Sequence, residues 1–306
     1  MMQKVKKSIN GRFSIKLLKN EFSAWILILP AILCVYFMII RPQIMSFYWS
    51  FFNMHGYKVE EFVGFDNYRR VITDTMFAKT LVNTFKYVIF SILIGYVYPI
   101  ILAIMLNEMV HARNALRVII YLPSVLPAVA SLTLWYMMYY PDQSGLLNMI
   151  LGEFGMEPYG WLQDSGKTIL YIVISMTWGS AGATVIYYFA ALQGVNRELY
   201  EAAMMDGAGF FRRIRIVTLP HISGIALLFL VRQIISVFSV MEQPMQMTDG
   251  GPNGASTTLA LQMYKYGFES IKPQFAMALG TIMFIILMVV TTFYFYLNKK
   301  IEDNNE

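Results

Sequence analysis

Apolar residues dominate this chain in six long runs, at about 22 to 40, 80 to 106, 118 to 140, 168 to 193, 220 to 241 and 274 to 297. A membrane-spanning helix needs about 20 predominantly apolar residues, so each run predicts one span. An even number of spans puts both termini on the same side. Between the fourth and fifth runs lies a polar to basic insert, 196 to 220. Asn196 is a suitable N-cap, Arg197 to Met205 are mostly good helix formers, and Gly207 supplies a C-terminal stop. The insert therefore predicts a helix of about two to three turns, far too short to cross a bilayer. Its adjacent Ala202 and Ala203 offer a flat, small surface to a partner, with Leu199 and Met205 beside them as apolar anchors.

Inside the runs, prolines and polar residues stand out. Pro30 and Pro99 interrupt the first and second spans, and Pro123 and Pro127 free backbone carbonyls in the third, which predicts kinks that let helices diverge around a cavity. The fourth span carries small residues from Thr177 to Thr184, suited to close helix packing. The fifth span is predicted to start at Pro220, a favourable first helical position. Arg232 lies about eleven residues into it, near the expected midplane, where an ionisable group marks a candidate functional site. At about 100° per residue, Ser236, Ser239 and Gln243 fall on the same face as Arg232, with Gln233 and Glu242 to either side. The outer stretch from Pro141 to Lys167 predicts a short amphipathic helix with turns, and Thr248 to Thr257 a reverse turn.

Composition fits a membrane protein: 57 % of residues are hydrophobic and 14 % charged, with a mean hydropathy of +0.51, outside the soluble range. Charge fixes the expected orientation, because Lys and Arg near span ends are retained in the cytoplasm. With the N-terminus inside, fourteen fall on inner segments and eight on outer ones. That places the 196 to 220 insert and both termini in the cytoplasm. The net charge of +5 is thus a topology signal, and no basic patch interleaved with aromatics supports nucleic-acid binding. The basic N-terminal twenty residues are expected to lie along the inner surface. The first run ends at Arg41-Pro42 without a small-residue cleavage site, so it reads as a span rather than a secretion signal. The single cysteine, Cys34, cannot form a disulfide within the chain.

Catalysis finds no support. There is no Gly-four residues-Gly-Lys-Ser/Thr loop for nucleotide phosphates, and His55, His111 and His221 lack metal-ligand spacing. Any energy source must be another subunit.

One spaced pattern is specific. Glu201-Ala202-Ala203, three residues, Gly207, nine residues, Val217, one residue, then Leu219-Pro220 resembles the cytoplasmic coupling loop of ABC importer permeases. Val217 stands where that family most often carries Ile. Phe62 to Tyr68, the Leu-Pro, Pro and Trp135 of the third span, and Gly250-Gly251-Pro252 with Ser256-Thr257 resemble further segments of carbohydrate-type importers. The resemblance covers about 20 to 298. It implies an all-α, polytopic fold with six transmembrane helices and a cytoplasmic coupling helix, the type I importer permease. A basic segment 1–20, a permease domain 21–298 and a tail 299–306 make up the chain. The resemblance also implies a multi-pass plasma (inner) membrane location, in the lipid bilayer. Expected partners are a second homologous permease, two ATPase subunits that hold ATP and Mg, and an extracytoplasmic binding protein delivering a saccharide. No cofactor is expected in this chain. By resemblance, Glu201, Ala202, Ala203, Asp206, Gly207, Leu219 and Pro220 couple to the ATPase. Trp178, Ser180, Ala183, Tyr187, Arg232, Gln233, Ser236, Ser239 and Gln243 are expected along the solute path. Arg232 raises an acidic saccharide as one option, since guanidinium matches carboxylate. A permease for a phosphate ester or peptide, and a self-sufficient secondary transporter, are the alternatives.

Overall fold

A computed structural model describes residues 22–109 and 111–303. The basic N-terminal segment and the last three residues of the tail lie outside them. In chain order the elements are α1 (Trp25–Trp49), β1 (Phe52–His55), β2 (Lys58–Phe62), α2 (Asp66–Thr73), α3 (Thr75–Glu108), α4 (Arg113–Val125), α5 (Ala128–Met138) and α6 (Leu146–Glu153). They continue as α7 (Thr168–Gln193), α8 (Arg197–Met205), α9 (Phe210–Phe238), α10 (Glu242–Thr248), α11 (Leu259–Tyr264) and α12 (Pro273–Asp303).

Among the described residues five helices, α1, α3, α7, α9 and α12, are long and apolar enough to span a membrane, and the bent pair α4 and α5 brings the number to six if it counts as one span. That pair replaces the single rod expected over 118 to 140: its halves meet at 97°. The break falls between the two helices at Leu126-Pro127, where Leu126 is extended at ψ 139°. Proline at 127 bars the preceding residue from helical geometry, while Pro123 is kept inside α4.

Three other prolines are absorbed without a break. Wide π turns at Tyr36–Ile40, Ser91–Tyr96 and Ile214–Thr218 stand just ahead of Pro42, Pro99 and Pro220. Each proline lacks an N–H and crowds the carbonyl four residues back, and a wider turn relieves both. In two of them the bond reaches five residues back, from Arg41 N–H to the Tyr36 carbonyl and from Leu219 N–H to Ile214. Pro42 and Pro220 therefore lie inside continuous helices. The first span runs on to Trp49, and the fifth begins at Phe210, not Pro220.

The fifth helix also stops early, at Phe238 and not near 241. Pro244 cannot donate to the Val240 carbonyl, which would be its helical partner. That carbonyl instead accepts the Thr258 hydroxyl at 2.6 Å. The chain turns, and α10 starts separately at Glu242.

After α1 the chain forms a hairpin of β1 with β2 that its composition did not predict. Gly56, at φ +58°, makes the turn, and Asn67 donates to the carbonyls of Ser50 and Phe52. The loop after α10 is more than a reverse turn: Asn83 donates to the carbonyls of Gly254 and Thr257, and Tyr87 to that of Ser256, which pin it to α3.

Two hydrophobic cores lie along the spans. The first gathers Tyr87, Val88, Trp135, Tyr139, Ile172, Val173, Val237, Phe238, Leu259 and Leu279. The second gathers Ala103, Leu106, Val185, Tyr188, Leu192, Ile222 and Phe229.

Candidate functional site

Between those two cores the same three helices carry a polar layer. On α3 it is Ser91, on α7 Thr177 and Ser180, and on α9 Gln233 and Ser236, each lying in sequence between a residue of the first core and one of the second. These residues line a cavity of about 470 Å³, together with Ser239, Glu242 and Gln243 and the methionines 176, 241, 263 and 283. The volume lies within the usual range for a small-ligand site, roughly 300–1,000 Å³.

Of the nine residues expected along a solute path, five line this cavity: Ser180, Gln233, Ser236, Ser239 and Gln243. Gln243 reaches it from α10, because the helix that was to carry the stripe ends at Phe238. Gln233 does not project along a stripe; its side-chain nitrogen donates to the Ser91 hydroxyl and ties α9 to α3. Gly95 makes room for that knot, since a Cβ there would sit 3.0 Å from both Gln233 Nε2 and Thr177 Oγ1.

The other four lie elsewhere. Trp178 packs edge-on against Trp135 at 5.9 Å in the first core. Tyr187 stands exposed beside Phe229, ring centroids 5.5 Å apart. Arg232 reaches over the same Phe229 ring at 5.8 Å. It is six residues from the end of α9, about 9 Å at the helical rise, so it sits in the C-terminal half of the span and not at its centre. Ala183 is half-buried on α7, off the cavity wall. Missed from sequence were Ser91, Thr177 and the methionines, while Glu242, placed beside the stripe, was left out of the expected path. Thr177 had passed for a packing residue, and Ser91 gains meaning only from its partner on another span.

The second constellation is α8 with the turn behind it. The predicted helix is found at Arg197–Met205, with the Asn196 side chain accepting from Glu198 N–H at 3.1 Å. Gly207 adopts φ +75°. Its N–H bonds the Met204 carbonyl at 3.0 Å while Ala208 N–H bonds Ala203 at 2.9 Å, the two-bond glycine stop that satisfies the helix's last carbonyls. Glu201, Ala202, Asp206 and Gly207 are exposed, as are Leu219 and Pro220 at the head of the membrane part of α9. Ala203 is the exception to the expected flat pair: it turns inward and is 6 % exposed. The outward apolar surface is made instead by Leu199, Met204 and Met205, the last 89 % exposed. One residue absent from the expected set, Tyr200, hydrogen-bonds the Thr218 hydroxyl at 3.0 Å and fastens α8 to α9.

Known proteins resemble this chain in sequence and overall fold. Residues 95–303 match the family profile described as binding-protein-dependent transport system inner membrane component. The chain is 31 % identical to a trehalose/maltose transport system permease protein of Thermococcus litoralis, over 79 % of this chain and 82 % of that one. It is 28 % identical to an arabinooligosaccharides transport system permease protein of Halalkalibacterium halodurans, over 92 % and 89 %. Among solved structures, it superposes with a TM-score of 0.83 and 25 % identity on a chain of a bacterial ABC transporter involved in the import of the acidic polysaccharide alginate, covering 94 % of this chain and 98 % of the other. The chain belongs to the family of membrane-embedded permease components of binding-protein-dependent transport systems.

Proposed function

We propose that this chain forms half of the translocation path of an ATP-driven saccharide importer, with the cavity between α3, α7 and α9 in the solute path and α8 as the contact with a separate ATPase. The carrying observation is the polar layer set between two apolar cores, open as a cavity of about 470 Å³. Serine hydroxyls and the Gln243 amide suit sugar hydroxyls, and four methionines offer adaptable apolar contact to sugar CH faces. The relatives' names, which speak of trehalose, maltose and arabinooligosaccharides, support the same solute class. A second permease of the same kind completes the path, a binding protein delivers the solute outside, and two ATPase subunits hold ATP and Mg. Both termini and α8 face the cytoplasm. Arg232 lies off the cavity wall, whose single ionisable side chain is Glu242, so hydroxyl recognition is favoured over carboxylate capture.

The test is uptake by the complete importer in proteoliposomes, using its own binding protein and labelled maltose, arabino-oligosaccharide, glycerol phosphate and peptide. ATP-dependent uptake of a saccharide is expected. Uptake of only the phosphate ester or the peptide would overturn the solute assignment, and uptake by this chain alone on an ion gradient would overturn the importer reading.

A further inference from the structure

Helix α9 is longer than the membrane needs. Its 29 residues extend about 43 Å at 1.5 Å each, whereas a hydrocarbon core of about 30 Å takes roughly 20 residues. Counting back from Phe238, the core-spanning part ends at Leu219. Phe210 to Thr218 then continues the same helix for about 13 Å into the headgroup layer. The charges divide the same way. Leu219 to Phe238 holds one, Arg232, and the nine-residue projection holds Arg212, Arg213 and Arg215. Arg212 and Arg215 are exposed three residues apart, on one face with exposed Ile216, and Phe211 beside them is 83 % exposed. Among the described residues no carboxylate pairs with any of the three arginines; the ion pairs join Arg70 to Asp66, Lys167 to Asp164 and Lys265 to Asp249.

We infer that this collar, Phe210 to Thr218, binds the phosphate groups of anionic phospholipids. Guanidinium groups donate a fork of two hydrogen bonds to phosphate oxygens, and aromatic and aliphatic side chains at the same depth enter the acyl boundary. The ATPase is the less suitable occupant. The surface offered to it on α8, Leu199, Met204 and Met205, lies beyond the Gly207 to Gly209 elbow, whereas the collar is held in the headgroup layer by its continuity with the span. Through the Tyr200 to Thr218 bond, headgroups on the collar also set the height at which α8 stands. The inference rests on the proposed placement of this loop at the inner surface.

The experiment uses the assembled importer in nanodiscs of phosphatidylcholine with one third phosphatidylglycerol. Lipids retained after detergent extraction are counted by mass spectrometry. The wild type should hold phosphatidylglycerol in excess over its share, and Arg212→Gln with Arg215→Gln should cut that excess about fivefold per arginine. Arg212→Lys with Arg215→Lys, which keeps the charge and loses the fork, should fall between the wild type and the Gln pair. Where the Gln pair fails to assemble, Arg215→Gln alone should show the single-residue effect. An unchanged excess in the Gln variants overturns the inference. So does loss of the ATPase subunits with the excess unchanged, which would assign the collar to the ATPase. Absence of saccharide uptake in a wild type that still enriches phosphatidylglycerol would sink the transport reading alone.

Discussion

Gly182 shows how a single missing side chain sets the distance between two helices. A Cβ there would lie 2.6 Å from the Ile120 carbonyl oxygen and 2.9 Å from Tyr121 Cα, both backbone atoms of α4 that cannot swing aside. Gly182→Ala should therefore push α4 off α7 and cost on the order of 1–3 kcal/mol, seen as a lower thermal midpoint of the purified protein. Gly179→Ala, whose new Cβ would meet only the Ser131 hydroxyl at 3.7 Å, should leave the midpoint in place. Equal midpoints for the two variants would remove Gly182 from the packing argument. Gly207 is a glycine for a different reason. Nothing lies within 4 Å of a Cβ there, but φ is +75°, a region that costs a non-glycine residue roughly 1–2 kcal/mol and that Asn tolerates best. Gly207→Val should depress uptake at normal protein level, and Gly207→Asn should retain most of it. The small residues of the fourth span were readable as packing residues from their type. Which of them touches backbone was not, because that depends on where α4 crosses.

At the scale of elements, the helices followed periodicity and capping, and the departures follow proline. The sequence placed α8 within its two caps because Asn196 and Gly207 act locally. It misplaced the ends of α9 because the deciding events are not local. Pro220 is accommodated by a π turn ahead of it, and the stop at Phe238 depends on Pro244 together with a hydroxyl from Thr258, distant in sequence. The same reason explains the split outcome for the polar stripe. Arg232, Ser236 and Ser239 share the exposed side of α9 as their spacing predicts, yet the cavity takes only the two serines, since its walls come from α3, α7 and α10 as well. Under the proposed function, the element whose connection matters most for coupling is α8. Its link to α9 through Tyr200 and Thr218 is a single hydrogen bond at 3.0 Å, with a typical net value of about 1 kcal/mol. Tyr200→Phe should leave assembly intact and lower the solute moved per ATP by up to about fivefold. An unchanged ratio would show that the covalent elbow alone carries the motion.

Across the whole molecule, surface exposure argues that the chain works in company. Helix α1 has none of its spanning residues buried by the rest of the chain, and α9 shows Leu228, Arg232 and Ile235 outward. A charged residue on the outer face of a span is costly against lipid, so Arg232 marks the side of this chain that another subunit or the aqueous path covers. Topology follows from the same logic of charge and is open to direct measurement. In a Cys34→Ser background, Asp206→Cys on the turn behind α8 should react with a membrane-impermeant maleimide only in inside-out vesicles. Asn253→Cys, on the loop pinned to α3, should react only in right-side-out ones. Within the assembled importer, ATPase bound to α8 should slow the reaction at position 206 and leave position 253 unchanged. Reaction at 206 from the outside would reverse the orientation drawn from the fourteen inner Lys and Arg residues, and with it the assignment of α8 as the surface that receives work from the ATPase.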